Sequence, residues 1–326
     1  MGAGKRIEYI DLMKGIGILL VVIQHGHFLP EPDYLCVRVW LSANMPLFFF
    51  ISGLFLPYKR PAASVARGWT RSLLVPCLFF SVLGMLLISV LAGGNLHIAD
   101  SPGTLFDELF LRNNVPLWFL RALIIALAIS WTLAKAFGGK RQKMAVLCLL
   151  MILSWYTKAH EECLRQLPEW PHRIIAGSNV AEAIVLLPFM WFGHMLAEMR
   201  PPATCAIGRK WAAALLAVSV AAAIAIDTPF YHWHELYGWV SWSTVMGSAV
   251  CGIAIIYSAA ILLQGCSPLA ALGRCSLIVL CTHYIVIFMC INAFGATRPV
   301  GAIVALALMP AIVPACLRWL PWACAR

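Results

Sequence analysis

Hydrophobic positions in this chain come in long unbroken blocks, not in the alternation of a half-buried strand. Ten blocks stand out, over residues 10–28, 38–58, 69–91, 116–137, 143–157, 180–198, 210–226, 238–263, 269–294 and 300–320. A membrane-crossing helix needs about 20 mainly apolar residues, and most blocks reach that length. The fifth is short, with open ends. Breaks fall where glycine, proline and charge cluster, as in KRPAASVARG, AFGGKRQK and RPPATCAIGRK. The pattern predicts an all-α polytopic membrane protein with about ten transmembrane helices, in one membrane-embedded domain over residues 1–326. No internal repeat supports an inverted-repeat transporter. No cleavage site of small residues follows the first block, so that block is expected to stay as a helix.

The positions of Lys and Arg set an orientation. With the N-terminus inside, the cytoplasmic segments carry sixteen of them and the outer segments six: Arg38, Arg112, Lys158, Arg165, Arg173 and Arg298. The positive-inside rule then places both termini in the cytoplasm. The outer loops hold most of the acids and loop histidines: Asp100, Asp107, Glu108, His160, Glu161, Glu162, His172, Asp227, His232, His234 and Glu235.

Composition agrees with the blocks. The chain is 62% hydrophobic and 12% charged, whereas soluble domains carry about 25% charge. The net charge of +10 fits loops facing anionic lipid, so membrane lipids are expected partners and nucleic acid is not. Twelve cysteines are scattered singly without a CxxC pair, which argues against a metal or redox site. Cys36 and Cys163 fall on the same outer side, where a disulfide is open to them.

Chemistry concentrates in the first block, DLMKGIGILLVVIQH. On a helix, Asp11, Lys14, Ile18 and His25 share one face, with Gly15 beside it to admit a close neighbour. Lys14 and His25 lie eleven residues apart, about 16 Å along the axis. Ionisable groups at membrane depth are costly and commonly mark a site. The plainer alternatives are an Asp11–Lys14 pair at the interface and a histidine bonded to a neighbour. Further along, Asn44 precedes MPLFFFISG, where it could cap a helix. Arg67 and Arg71 stand four apart at the cytoplasmic mouth of the third block, a spacing that suits a phosphate or a topology-setting loop. Trp118 opens the fourth block. Thr282 and His283 lie deep in the ninth.

In order, RIEYIDLMKGIGILLVVIQH, MPLFFFISG, RGWTRSLLVP, PLWFLRAL, WFGHMLAE and LGRCSLIVLCTH resemble the marks of the membrane-bound acyltransferase-3 family, over nearly the whole chain. The likeness is greatest to its short, fucose-4-O-acetylase-like branch. The resemblance implies an O-acyltransferase, usually an O-acetyltransferase. Such an enzyme moves an acyl group from cytoplasmic acetyl-CoA to a hydroxyl of a cell-envelope or exported glycan. It also implies a bacterial inner membrane, a glycan or lipid-linked saccharide acceptor, and polysaccharide-biosynthesis machinery nearby. The family's basic residue and histidine, ten residues between them, fall here on Lys14 and His25. Its basic pair falls on Arg67 and Arg71, one residue wider than the common spacing. Short-branch members often carry His where this chain has Asn44.

On that basis His25 is the expected general base, because imidazole titrates near neutrality. A covalent acetyl-histidine route stays open. Lys14, Arg67 and Arg71 would hold CoA phosphates, and Asp11 would orient Lys14. Asn44, Ser52, Trp118, Thr282 and His283 are candidates for the substrate cavity. Two other classes stay open: a transporter of a glycan or lipid-linked sugar, and a non-catalytic partner in polysaccharide assembly.

Overall fold

The structure, a computed structural model, describes residues 6–27, 35–91, 115–160, 178–226 and 239–324. The outer-loop acids and most of the outer-loop histidines lie outside that set. So does Cys163, and with it the Cys36 pairing.

Long apolar runs without strand-like alternation fold as helices. Among the described residues there are twelve α-helices and no strand: α1 Glu8–His25, α2 Leu35–Leu54, α3 Ala62–Trp69, α4 Val75–Leu91, α5 Trp118–Ala136, α6 Lys140–Ala159, α7 Val180–Met199, α8 Arg209–Ile226, α9 Trp239–Leu262, α10 Ser267–Arg274, α11 Ser276–Phe294 and α12 Arg298–Trp319. Their ends are legible chemistry. Gly139 opens α6, its N–H donating to Gln142 Oε1 at 3.0 Å. Gly295 closes α11 at φ +62, and Ala296 N–H reaches back to the Cys290 carbonyl, the left-handed glycine stop of a helix.

Among the described residues, seven helices are long and apolar enough to cross a membrane, and the protein is multi-pass. Three further blocks are helical without meeting that measure. The first, α1, carries Glu8, Asp11 and Lys14. In the second, α2, Ser42–Leu54 counts as a shorter apolar helix. The fifth block forms α6, which extends beyond 143–157 at both ends and carries charge at each.

Three sequence expectations are corrected. Asn44 caps nothing: α2 runs unbroken through it and through Pro46, because apolar side chains continue on both sides. The third block starts earlier, as α3, and a π-turn, Thr70–Leu74, joins it to α4. The ninth block is two helices, broken at Cys275 between α10 and α11.

The amphipathic signal is weak in the long apolar helices, as expected where lipid and protein interior are equally apolar, and stronger in the short α3 and α10. Burial separates centre from rim. Over their apolar windows, α7 and α9 are 56% buried, but α8 only 17% and α12 22%. The first helix, α1, is central, packed on α2, α9, α10, α11 and α12. Two pairs of glycines set the closest crossings. A Cβ at Gly15 would overlap the Leu269 carbonyl, and one at Gly273 the Asp11 carbonyl. Likewise, a Cβ at Gly53 would meet the Met190 carbonyl, and one at Gly193 that of Phe50. Small residues let membrane helices approach in this way. The neighbour expected beside Gly15 is therefore α10.

Candidate functional site

The stripe on α1 faces protein along its length. Toward its N-terminal end, Lys14 lines a cavity of about 180 Å³ with Ile18, Met45, Phe48, Ser52, Leu73, Phe119, Leu120, Leu123, Ser276, Leu277 and Leu280. Helices α1, α2, α5 and α11 and the π-turn after α3 build its wall. Its polar groups are few: the Lys14 ammonium and the hydroxyls of Ser52 and Ser276.

Toward the other end of α1, His25 packs edge-on against two rings of α11. Centroids lie 5.1 Å from His283 and 5.7 Å from Tyr284. The Nδ1 of His25 is 2.8 Å from the Val21 carbonyl. The Nδ1 of His283 is 2.8 Å from the Val279 carbonyl. A carbonyl oxygen only accepts, so each neutral ring carries its proton on Nδ1 and its lone pair on Nε2. His283 is fully buried, and its Nε2 has no hydrogen-bond partner among the described residues. Both imidazoles thus have the tautomer a general base needs.

The cavity and the histidine pair share one seam. Leu280 lines the cavity, and His283 stands one turn further along α11. Ile18 and His25 do the same two turns apart on α1.

The other expected residues divide. Arg67 and Arg71 are exposed, at the end of α3 and in the π-turn. The same turn sends Leu73 into the Lys14 cavity. Asn44 is 1% exposed and donates from Nδ2 to Gln24 Oε1 at 3.1 Å, while its Oδ1 is buried without a partner. It therefore faces α1 one residue from His25. No hydrogen bond or ion pair joins Asp11 to Lys14 among the described residues, but the carboxylate acts on the Lys14 ammonium electrostatically. Its oxygen lies 4.0 Å from Arg274, because the glycine crossing brings α10 against that side of α1. Trp118 begins α5 and stacks edge-on with Phe119 at 6.4 Å; its neighbours Phe119 and Leu120, not Trp118, line the cavity. Thr282 also departs from the cavity. Its hydroxyl donates to the Ile278 carbonyl at 2.8 Å and lies 3.9 Å from Met309 of α12.

Several polar residues escaped the sequence argument. Arg298 donates to His27 Nε2 at 2.8 Å, just beyond His25. Partial burial, and then that guanidinium, push His27 below the ordinary imidazole range. Arg121, inside α5, donates to Asn179 Oδ1 at 2.9 Å. A guanidinium within an apolar helix was the signal for it. A third group joins α6 to α7: Lys143 bonds Glu198, and His194 Nε2 stands 3.8 Å from the other Glu198 oxygen. Tyr58 bonds Glu198 as well, and this, with burial, raises its phenol above the ordinary value. Among the described residues, no three His, Cys, Asp or Glu side chains gather in a way that could hold a metal ion.

The family model described as an acyltransferase domain matches residues 7–319. No curated protein and no solved structure matches the chain.

Proposed function

Because the chain belongs to the acyltransferase-3 family, we propose that this multi-pass membrane acyltransferase is an O-acetyltransferase, carrying acetyl from cytoplasmic acetyl-CoA to a glycan hydroxyl. The observation that carries the reading is the seam on α1. A cavity with one cation, Lys14, lies along the same helix pair as a histidine whose Nδ1 is held by a backbone carbonyl.

The chemistry follows from those groups. Arg67 and Arg71, both exposed, offer fork-shaped donors to the CoA phosphates. Lys14 supplies a further charge where the thioester arm enters the apolar cavity. The Nε2 of His25 takes the proton of the acceptor hydroxyl as its oxygen attacks the thioester carbonyl, and returns that proton to the CoA sulfur as the C–S bond breaks, so that CoA leaves as the thiol. Positioned base catalysis of this kind is worth about 10²–10⁴-fold. Asn44 lies beside His25 with a spare buried acceptor, suited to a sugar hydroxyl. The positive-inside bias supports putting Arg67 and Arg71 at the cytoplasmic face and His25 toward the opposite side; the membrane of this reading is a bacterial inner membrane.

The test supplies acetyl-labelled acetyl-CoA to membrane vesicles containing the chain. Label entering glycan only when the chain is present supports the reading. Glycan crossing the membrane with no requirement for acetyl-CoA would instead make the protein a transporter.

A further inference from the structure

On the side of α1 away from the Lys14 cavity lies a second, larger cleft of about 360 Å³, between α1, α2, α7, α8 and α9. Its walls are apolar, with Met13, Leu54, Phe189, Leu196 and Val250 among them, and Arg200 is its one charged lining residue. We propose that this cleft binds an anionic phospholipid, its phosphate on Arg200 and one acyl chain inside.

Length supports this occupant. Arg200 directly follows the last residue of α7. Phe189 lies eleven residues earlier on the same helix, about 16 Å along its axis. Half the hydrocarbon thickness of a bilayer is about 15 Å. The cleft thus runs from headgroup level to the midplane, the span of one acyl chain in one leaflet.

Charge supports it too. The segment RPPATCAIGRK holds Arg200, Arg209 and Lys210 and no acid. Arg200 is exposed and has no ion-pair partner among the described residues. The segment is also tied down. Tyr9 donates its hydroxyl to the Pro202 carbonyl at 2.6 Å. Tyr257 donates to the Cys205 carbonyl at 2.5 Å and accepts from Ile207 N–H at 3.2 Å. Both tyrosines also line the cleft, so the wall and the cation are held by the same bonds. A different apolar cleft of about 720 Å³, against α10, α11 and α12, has no charged lining residue and so nothing to select a headgroup.

The experiment uses the full chain, delipidated in detergent, with phosphatidylglycerol or phosphatidylethanolamine added. Native mass spectrometry counts bound lipid, and thermal unfolding reads its effect. The native chain retains one phosphatidylglycerol with about a five-fold preference, the scale of one basic contact to an anionic headgroup. Arg200→Gln, at an exposed position, removes the preference and keeps the fold. Ala254→Leu, which narrows the cleft, lowers retention of both lipids, whereas Ala271→Leu in the charge-free cleft does not. No preference in the native chain, an unchanged preference in Arg200→Gln, or full retention in a folded Ala254→Leu would overturn the proposal.

Discussion

Where α6 meets α7 a lysine and a glutamate pair across the helices; where α1 meets α11 the polar groups are two imidazoles tied to backbone. In the first region Lys143, with a side chain 8% exposed, bonds Glu198, and Tyr58 bonds the same carboxylate, while His194 Nε2 stands 3.8 Å from it, buried with no hydrogen-bond partner among the described residues. The indole N–H of Trp191 donates to the Lys143 carbonyl at 3.0 Å, stitching the two helices again. In the second region no carboxylate stands beside His25 or His283 among the described residues. Each ring is held at Nδ1 by a backbone carbonyl, and His283 Nε2 is buried with no partner among the described residues. Buried polar groups are nearly always paired, so a bare one needs a reason. The first region is built for holding helices together. The other is the region to which the proposed function assigns the proton acceptor.

That comparison can be broken at several points. The greatest effect is expected from Gly193→Leu. Its side chain would collide with the Phe50 carbonyl and drive α2 from α7, which both regions need. Loss of a monodisperse peak in detergent chromatography is the expected outcome. Next is Glu198→Gln, which leaves Lys143 buried without its counter-charge. Thermal unfolding should show a loss of about 3 kcal/mol, while the turnover of the surviving folded protein stays near native. Such a variant with native stability and no turnover would reverse the roles assigned to the two regions.

His283→Phe should do the opposite. It removes a buried orphan nitrogen and fills a similar volume, so unfolding temperature does not fall. Acyl transfer should slow by about ten-fold, the scale of losing a group that orients an imidazole. A native rate would make His283 mere packing. The smallest effect is expected from Arg71→Ala. Its side chain is exposed, so it should raise the KM for acetyl-CoA about five-fold with little change in kcat. A kcat effect without a KM effect would remove it from the donor site.

How much of this the sequence disclosed depends on the range of the interaction. The stripe of Asp11, Lys14 and His25 follows from a 3.6-residue period, which is local, and all three do point into protein. The helices followed from apolar length for the same reason. Partners across helices were not legible. Nothing near Asp11 in the sequence announces Arg274, since the two meet only because Gly15 and Gly273 let α1 and α10 touch. Nor does the apolar run of 269–294 show that the helix breaks at Cys275. Asn44 looked like a cap because Pro46 follows it, yet the chain stays helical and turns that amide toward Gln24 on α1. Lys143, His194 and Glu198 passed as loop charge and a helix mark, because an ion pair spanning 55 residues leaves no trace in spacing.

The central claim is that His25 takes the proton of the acceptor hydroxyl. The most direct measurement is the initial rate of acetyl transfer from labelled acetyl-CoA, in vesicles matched for folded protein, for the native chain and for His25→Ala. The account predicts a fall of about 10²–10⁴-fold with acetyl-CoA still bound. Equal rates for the two would contradict it and leave the bare imidazoles of the α1–α11 seam without a catalytic role.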